Sequence, residues 1–141
     1  GRILYVTSLY EAIRKRKPKM ARVACDNETV FDGAYFSMAF GVGKYSGGGM
    51  RQTPEAVLDD GLLDVTIIPE LPLGRIAREA PRLFTGSFLR VPELVASKCR
   101  SVTVSAYGSA DLEPVEVDGE VIGPAPVRFD ILERQLNILI P

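Results

Sequence analysis

Val115-Glu116-Val117-Asp118-Gly119-Glu120-Val121-Ile122 sets two short apolar-polar alternations on either side of an Asp-Gly pair. A period of two sends successive side chains to opposite faces of a strand, and Asp-Gly readily supplies the two left-handed residues of a type I′ turn. The stretch is predicted to be a β-hairpin, and the same period recurs around it. Downstream, 127–132 and 135–140 alternate; upstream, 101–107 and 114–117 do so. Further back, Leu63, Val65 and Ile67 share one face while Asp64 and Thr66 share the other. Residues 34–40, dense in aromatic and small apolar side chains, read as a buried strand. Residues 21–26 alternate ahead of a turn at Asn27-Glu28. Turn residues separate these runs at short intervals, which is the pattern of antiparallel strands.

Two segments break the period. Over 72–84, Leu73, Ile76, Ala77, Ala80 and Leu83 recur at helical spacing. Over 8–16, Leu9 and Ile13 follow a Ser8 cap, and Pro18 ends the run. The expected fold is therefore mainly β: an antiparallel β-sandwich, or open barrel, with two short helices on it. No repeat or linker divides 1–141, and a single domain is expected. The chain opens Gly1-Arg2-Ile3-Leu4 without an initiator Met and reads as part of a longer protein.

Composition narrows the chemistry. The 141 residues are 46% hydrophobic and 25% charged, enough for a core without staples. Seventeen Lys and Arg against eighteen Asp and Glu leave a formal charge of −1, which argues against a nucleic-acid partner held by bulk positive charge. There is no histidine, so Ser-His-Asp and Cys-His catalysis and His-bearing zinc sites are excluded. Acid–base work falls to carboxylates, Lys, Tyr or Cys. Cys25 and Cys99 lack CxxC spacing and read as two buried thiols of a reducing, cytoplasmic compartment. No run approaches the ~20 apolar residues of a membrane span. The basic run Arg14-Lys15-Arg16-Lys17-Pro18-Lys19 is a solvated helix end or a patch for anionic lipid headgroups.

Three segments rise above scaffold. Gly41-Val42-Gly43-Lys44-Tyr45-Ser46-Gly47-Gly48-Gly49-Met50 is a flexible connection or a backbone cradle, though it lacks the frame of a P-loop. Pro54-Glu55-Ala56-Val57-Leu58-Asp59-Asp60-Gly61-Leu62-Leu63-Asp64 is either a turn whose Asp caps its own backbone or an oxygen-donor site for a hard cation such as Mg²⁺. The hairpin 115–122 is either scaffold, with Glu120 solvated, or a device that holds Asp118 and Glu120 toward a second domain. Glycosidase chemistry fits that pair poorly, because carboxylates at i and i+2 share a face instead of flanking a substrate.

In order, Phe36-Ser37-Met38-Ala39-Phe40-Gly41, Gly47-Gly48-Gly49-Met50, Thr53-Pro54-Glu55-Ala56 and Asp59-Asp60-Gly61-Leu62-Leu63-Asp64 resemble the C-terminal half of the diacylglycerol kinase-like lipid kinases, which include sphingosine, ceramide and bacterial lipid kinases. Val117-Asp118-Gly119-Glu120, Pro124 and a closing run to Pro141 are similar to that family's last hairpin and strand. The resemblance spans Ala21 to the end. It implies a two-domain enzyme that moves the γ-phosphoryl group of ATP to a lipid hydroxyl, with a Gly-Gly-Asp-Gly-Thr nucleotide motif in the N-terminal domain. No such motif occurs here. By the resemblance, Asp60 and the carbonyls of Val57 and Leu62 hold a structural Mg²⁺. Glu120 is the general base on the acceptor hydroxyl, and Asp118 and Gly119 lie near the nucleotide. Where the family often has Asn-Gly ahead of its glycine-rich loop, Phe40-Gly41 stands here, without a polar side chain at position 40. ATP would be held by the domain this sequence lacks, so the chain alone is expected to be inert. The implied partners are a lipid substrate and the periphery of a membrane. The alternative is a non-catalytic sandwich that binds lipid or forms a homodimer, resting on the apolar, basic stretch Arg82-Leu83-Phe84-Thr85-Gly86-Ser87-Phe88-Leu89-Arg90.

Overall fold

The computed structural model describes residues 19–107, 114–133 and 135. The helix expected over 8–16, its basic run up to position 18, and the strand expected over 135–140 (Gln135 excepted) lie outside the described residues. Within them the strands are β1 (Lys19–Cys25), β2 (Glu28–Gly41), β3 (Leu63–Pro69), β4 (Val95–Cys99), β5 (Ser101–Ala106), β6 (Val115–Val117), β7 (Glu120–Gly123) and β8 (Val127–Asp130). Six form one antiparallel sheet in the order β4-β3-β2-β1-β5-β8, while β6 and β7 pair only with each other. The fold is mainly β and antiparallel, as expected.

A single residue, Arg100, links β4 to β5, yet these strands stand four places apart in the sheet. On a flat sheet they would be ~19 Å apart at ~4.8 Å per strand. Cys99 and Ser101, two residues apart in the chain, span at most ~7 Å. The sheet must therefore roll over on itself. Phe40 of β2 accordingly meets Phe129 of β8, with ring centroids 5.9 Å apart, although β1 and β5 run between those strands. Among the described residues β4 and β8 do not pair, so the roll stays open, sandwich-like, and is not a closed barrel.

The concave face is the core. Ala21, Val23, Val65, Ile67, Cys99, Val102 and Val104 are all buried there. Cys25 and Cys99 are free, buried and adjacent. Burial pushes the Cys99 thiol up to about 12, with the Cys25 thiol beside it adding to the shift. A thiol so held is a packing group and not a nucleophile. The corner is closed by Asp26, whose carboxylate accepts from the N–H groups of Arg100 (3.0 Å) and Ser101 (2.9 Å). These bonds hold the Asp26 carboxyl below its ordinary range.

The convex face is partly covered. The helical spacing over 72–84 yields α1 (Leu73–Glu79), then a 3-10 turn over Ala80–Phe84, with another over Ser87–Arg90. Pro81 lies at the start of the first 3-10 turn and cannot donate a helical hydrogen bond, so the α-helix stops short of the predicted 84. Two further expectations shift. The first turn is Asp26-Asn27, both left-handed (φ 48° and 71°), one residue earlier than predicted. Residues 34–40 are the second half of the 14-residue β2, in which Tyr35 alone is buried.

Candidate functional site

The turn that enters β3 is built by Asp60 itself. Its Oδ1 accepts from the N–H of Leu62 at 3.0 Å, its own N–H reaches toward the carbonyl of Val57 at 3.5 Å, and Gly61 takes the left-handed φ of 70°. That is the side-chain cap expected of Asp-Gly at a turn. Four residues after Asp60, Asp64 is only 6% exposed, because the convex face of β3 is covered as well as the concave one. Opposite Asp64 in the β3–β4 register stands Lys98. Its Nζ donates to Asp64 Oδ2 at 2.7 Å, to the Glu55 carbonyl at 3.0 Å and to Asp60 Oδ2 at 3.4 Å. Asp64 foremost, with Asp60 behind it, makes Lys98 hold its proton more tightly than an ordinary lysine.

The sequence alone does not mark Lys98. Val95, Ser97 and Cys99 alternate with it, but the run is small and mixed, and nothing in its pattern marks a site. The donors at 57–62, a carboxylate and main-chain carbonyls, are all hard oxygens and suit Mg²⁺ in kind. Lys98 already supplies one positive charge there.

Glu120 sits at the other candidate position. Val117 faces Glu120 in register, with Asp118 (φ 49°) and Gly119 (φ 90°) closing the predicted type I′ turn. The tip is exposed, and among the described residues no ion pair or side-chain hydrogen bond engages the carboxylates of Asp118 or Glu120. Val121 and Ile122 on the same ribbon are exposed too, at 69% and 57%. The hairpin pairs with itself, whereas the 57–62 turn is tied to β3 and β4. Among the described residues no hydrogen bond or ion pair joins Glu120 to Asp60.

The glycine-rich loop is organised by ordinary contacts. Thr53 Oγ1 donates to the Gly43 carbonyl at 2.7 Å, Ser46 pairs with Met50, and the Arg51 guanidinium lies 5.1 Å from the centre of the Tyr45 ring. Its glycines act here as a connection. Of the stretch 82–90 only Phe88 is buried, at 3% exposed; Leu83 and Leu89 are half-buried, and Arg82, Phe84, Thr85 and Arg90 are exposed. Beneath this stretch is an apolar cavity lined by Phe36, Ile68, Leu71, Ile76, Leu83 and Phe88, among others. Glu79 also lines this cavity, and its carboxylate is met by Arg82 at 2.9 Å, Arg78 at 3.0 Å and Arg75 at 3.5 Å.

A rolled antiparallel sheet with a short helical cover and a separate two-stranded hairpin defines a β-sandwich-like domain. The chain belongs to the family described as the YegS C-terminal NAD kinase beta sandwich-like domain, which matches residues 1–140. It is 30% identical over 141 residues to a protein of Xanthomonas axonopodis pv. citri named "Probable lipid kinase YegS-like", covering all of this chain and 45% of that one. It is 26% identical over 141 residues to a diacylglycerol kinase of Staphylococcus haemolyticus, covering 42% of that protein. A crystal structure of a diacylglycerol kinase from Bacillus anthracis superposes with a TM-score of 0.67 at 21% identity, over 94% of this chain and 44% of that one. That likeness is one of fold. The chain thus spans less than half the length of these relatives.

Proposed function

We propose that this domain is the acceptor half of an ATP-dependent lipid kinase, which transfers the γ-phosphoryl group to a lipid hydroxyl such as that of diacylglycerol. The observation that carries the reading is Glu120, its side chain exposed and without a partner among the described residues, at the tip of a hairpin in a domain of this family. Phosphoryl transfer asks the protein mainly for positioning and charge stabilisation. The carboxylate takes the hydroxyl proton as the oxygen bonds to phosphorus and ADP leaves, and a carboxylate within hydrogen-bond reach suffices. No histidine is needed.

The other roles follow the same frame. Asp118 and Gly119 lie at the nucleotide edge, and ATP is bound by an N-terminal domain outside this sequence. A lipid as the substrate class is supported by the names of the relatives; the apolar cavity under Leu83 and Phe88, about 40 Å³, is too small to take an acyl chain. Asp60, with the carbonyls of Val57 and Leu62, would hold Mg²⁺, which would add fixed positive charge to the turn. The enzyme works in the cytoplasm at the membrane periphery. Among the described residues no helix is long and apolar enough to cross a membrane.

A second reading, a non-catalytic module that binds lipid or dimerises, draws on exposed Val121 and Ile122 beside the same tip. Glu120→Gln in the two-domain protein separates the two. On the kinase reading phosphorylation falls by at least about 100-fold, the scale of general-base catalysis, with the melting curve unchanged. Full turnover in the variant removes Glu120 from the base role.

A further inference from the structure

Among the described residues one lysine, Lys98, reaches the 57–62 turn, and it lies where a bound cation would compete with it. Lys98 Nζ touches two carboxylates and a carbonyl of the segment 55–64, so an internal ammonium already bridges β4 to that turn. Its contacts are unequal: 2.7 Å to Asp64, which is buried, against 3.4 Å to Asp60, whose side chain is 24% exposed. Asp60 and Asp64 together carry two negative charges. With Lys98 between them the net is −1; without it the pair would match a divalent ion.

We infer that Lys98 is the resident counter-cation of the Asp60 turn and sets the threshold at which that turn accepts a divalent cation. The inference rests on the Mg²⁺ assignment proposed above. Binding the ion detaches the ammonium from Asp60 while Asp64 retains it. Lys98 is therefore a positioning residue with two effects: it fastens the turn in the metal-free protein, and it raises the Mg²⁺ concentration the turn requires. Two like charges within ~5 Å, one of them divalent, oppose each other even at the dielectric of water strongly enough to change affinity by roughly tenfold.

The test is thermal melting of the protein in EDTA and across a MgCl₂ series at constant ionic strength. Three forms are compared: wild type, Lys98→Met, and Lys98→Met combined with Asp60→Asn. In EDTA, Lys98→Met melts below wild type. Its melting temperature then rises with MgCl₂, with a midpoint roughly tenfold or more below that of wild type. Asp60→Asn abolishes the rise. Equal midpoints in wild type and Lys98→Met overturn the inference while leaving Mg²⁺ at Asp60 intact. No Mg²⁺-dependent shift in any form overturns both. If Lys98→Met does not fold in EDTA, Lys98→Gln, which keeps an uncharged donor, gives the same comparison. Turnover is not read, so the outcome is independent of whether Glu120 is the base.

Discussion

At residue scale, Asp26 shows how one side chain can fix a fold's curvature. Its carboxylate accepts two backbone N–H groups at the β4–β5 corner, where the sheet rolls over. Those bonds exist for the ionised form and depress its pKa, so the stability they confer is present above the unfolded-state value of ~3.9. It is lost as pH falls through the lower folded-state value. Asp26→Ala should melt well below wild type at pH 7, and the gap should shrink steadily below pH ~4. A gap of equal size at pH 7 and pH 3 would show that charge plays no part. The importance of Asp26 was not legible in the sequence, because its partners lie more than seventy residues away. Asp60 was half legible: the Asp-Gly cap could be read, whereas Lys98, which binds both Asp60 and Asp64, reaches them only through β-sheet register.

At the scale of elements, the hairpin of β6 and β7 was the plainest feature of the sequence, since its turn chemistry is local. β4 was the opposite. Val95-Ala96-Ser97-Lys98-Cys99 has weak strand character, and Arg100 alone separates it from β5, with no Gly, Pro, Asn or Asp to mark the corner. The helical cover was legible in its spacing and not in its form, because Pro81 converts the second half to a 3-10 turn. Gly86 ties that cover to the loop below. Its φ is 75°, and a Cβ there would stand 2.9 Å from Pro54 Cβ, in a ring that cannot swing aside. Gly86→Ala should therefore cost about 1–3 kcal/mol in chemical denaturation, from strain and overpacking together. An unchanged midpoint would mean that the cover can shift freely. Phe88→Ala, which empties a buried ring from the cavity wall, should cost about 3–5 kcal/mol by the same measurement.

At the scale of the whole molecule, the sheet brings β4 and β5 together, and among the described residues the Glu120 hairpin pairs with no other strand. Long-range closure of this kind follows from the order of strands, which periodicity does not encode. The family was readable from four short motifs in order, and it is shown by the match over 1–140. The roles proposed for Glu120, Asp118 and Asp60 are tested in the full-length protein. The most direct measurement is phosphate transfer from labelled ATP to a panel of lipids by that protein, wild type beside Glu120→Gln. The account predicts a labelled lipid, diacylglycerol among the acceptors, from wild type, and a loss of at least about 100-fold in the variant at unchanged stability. Label transfer that is undiminished in Glu120→Gln, or absent from every lipid with wild type, would contradict it.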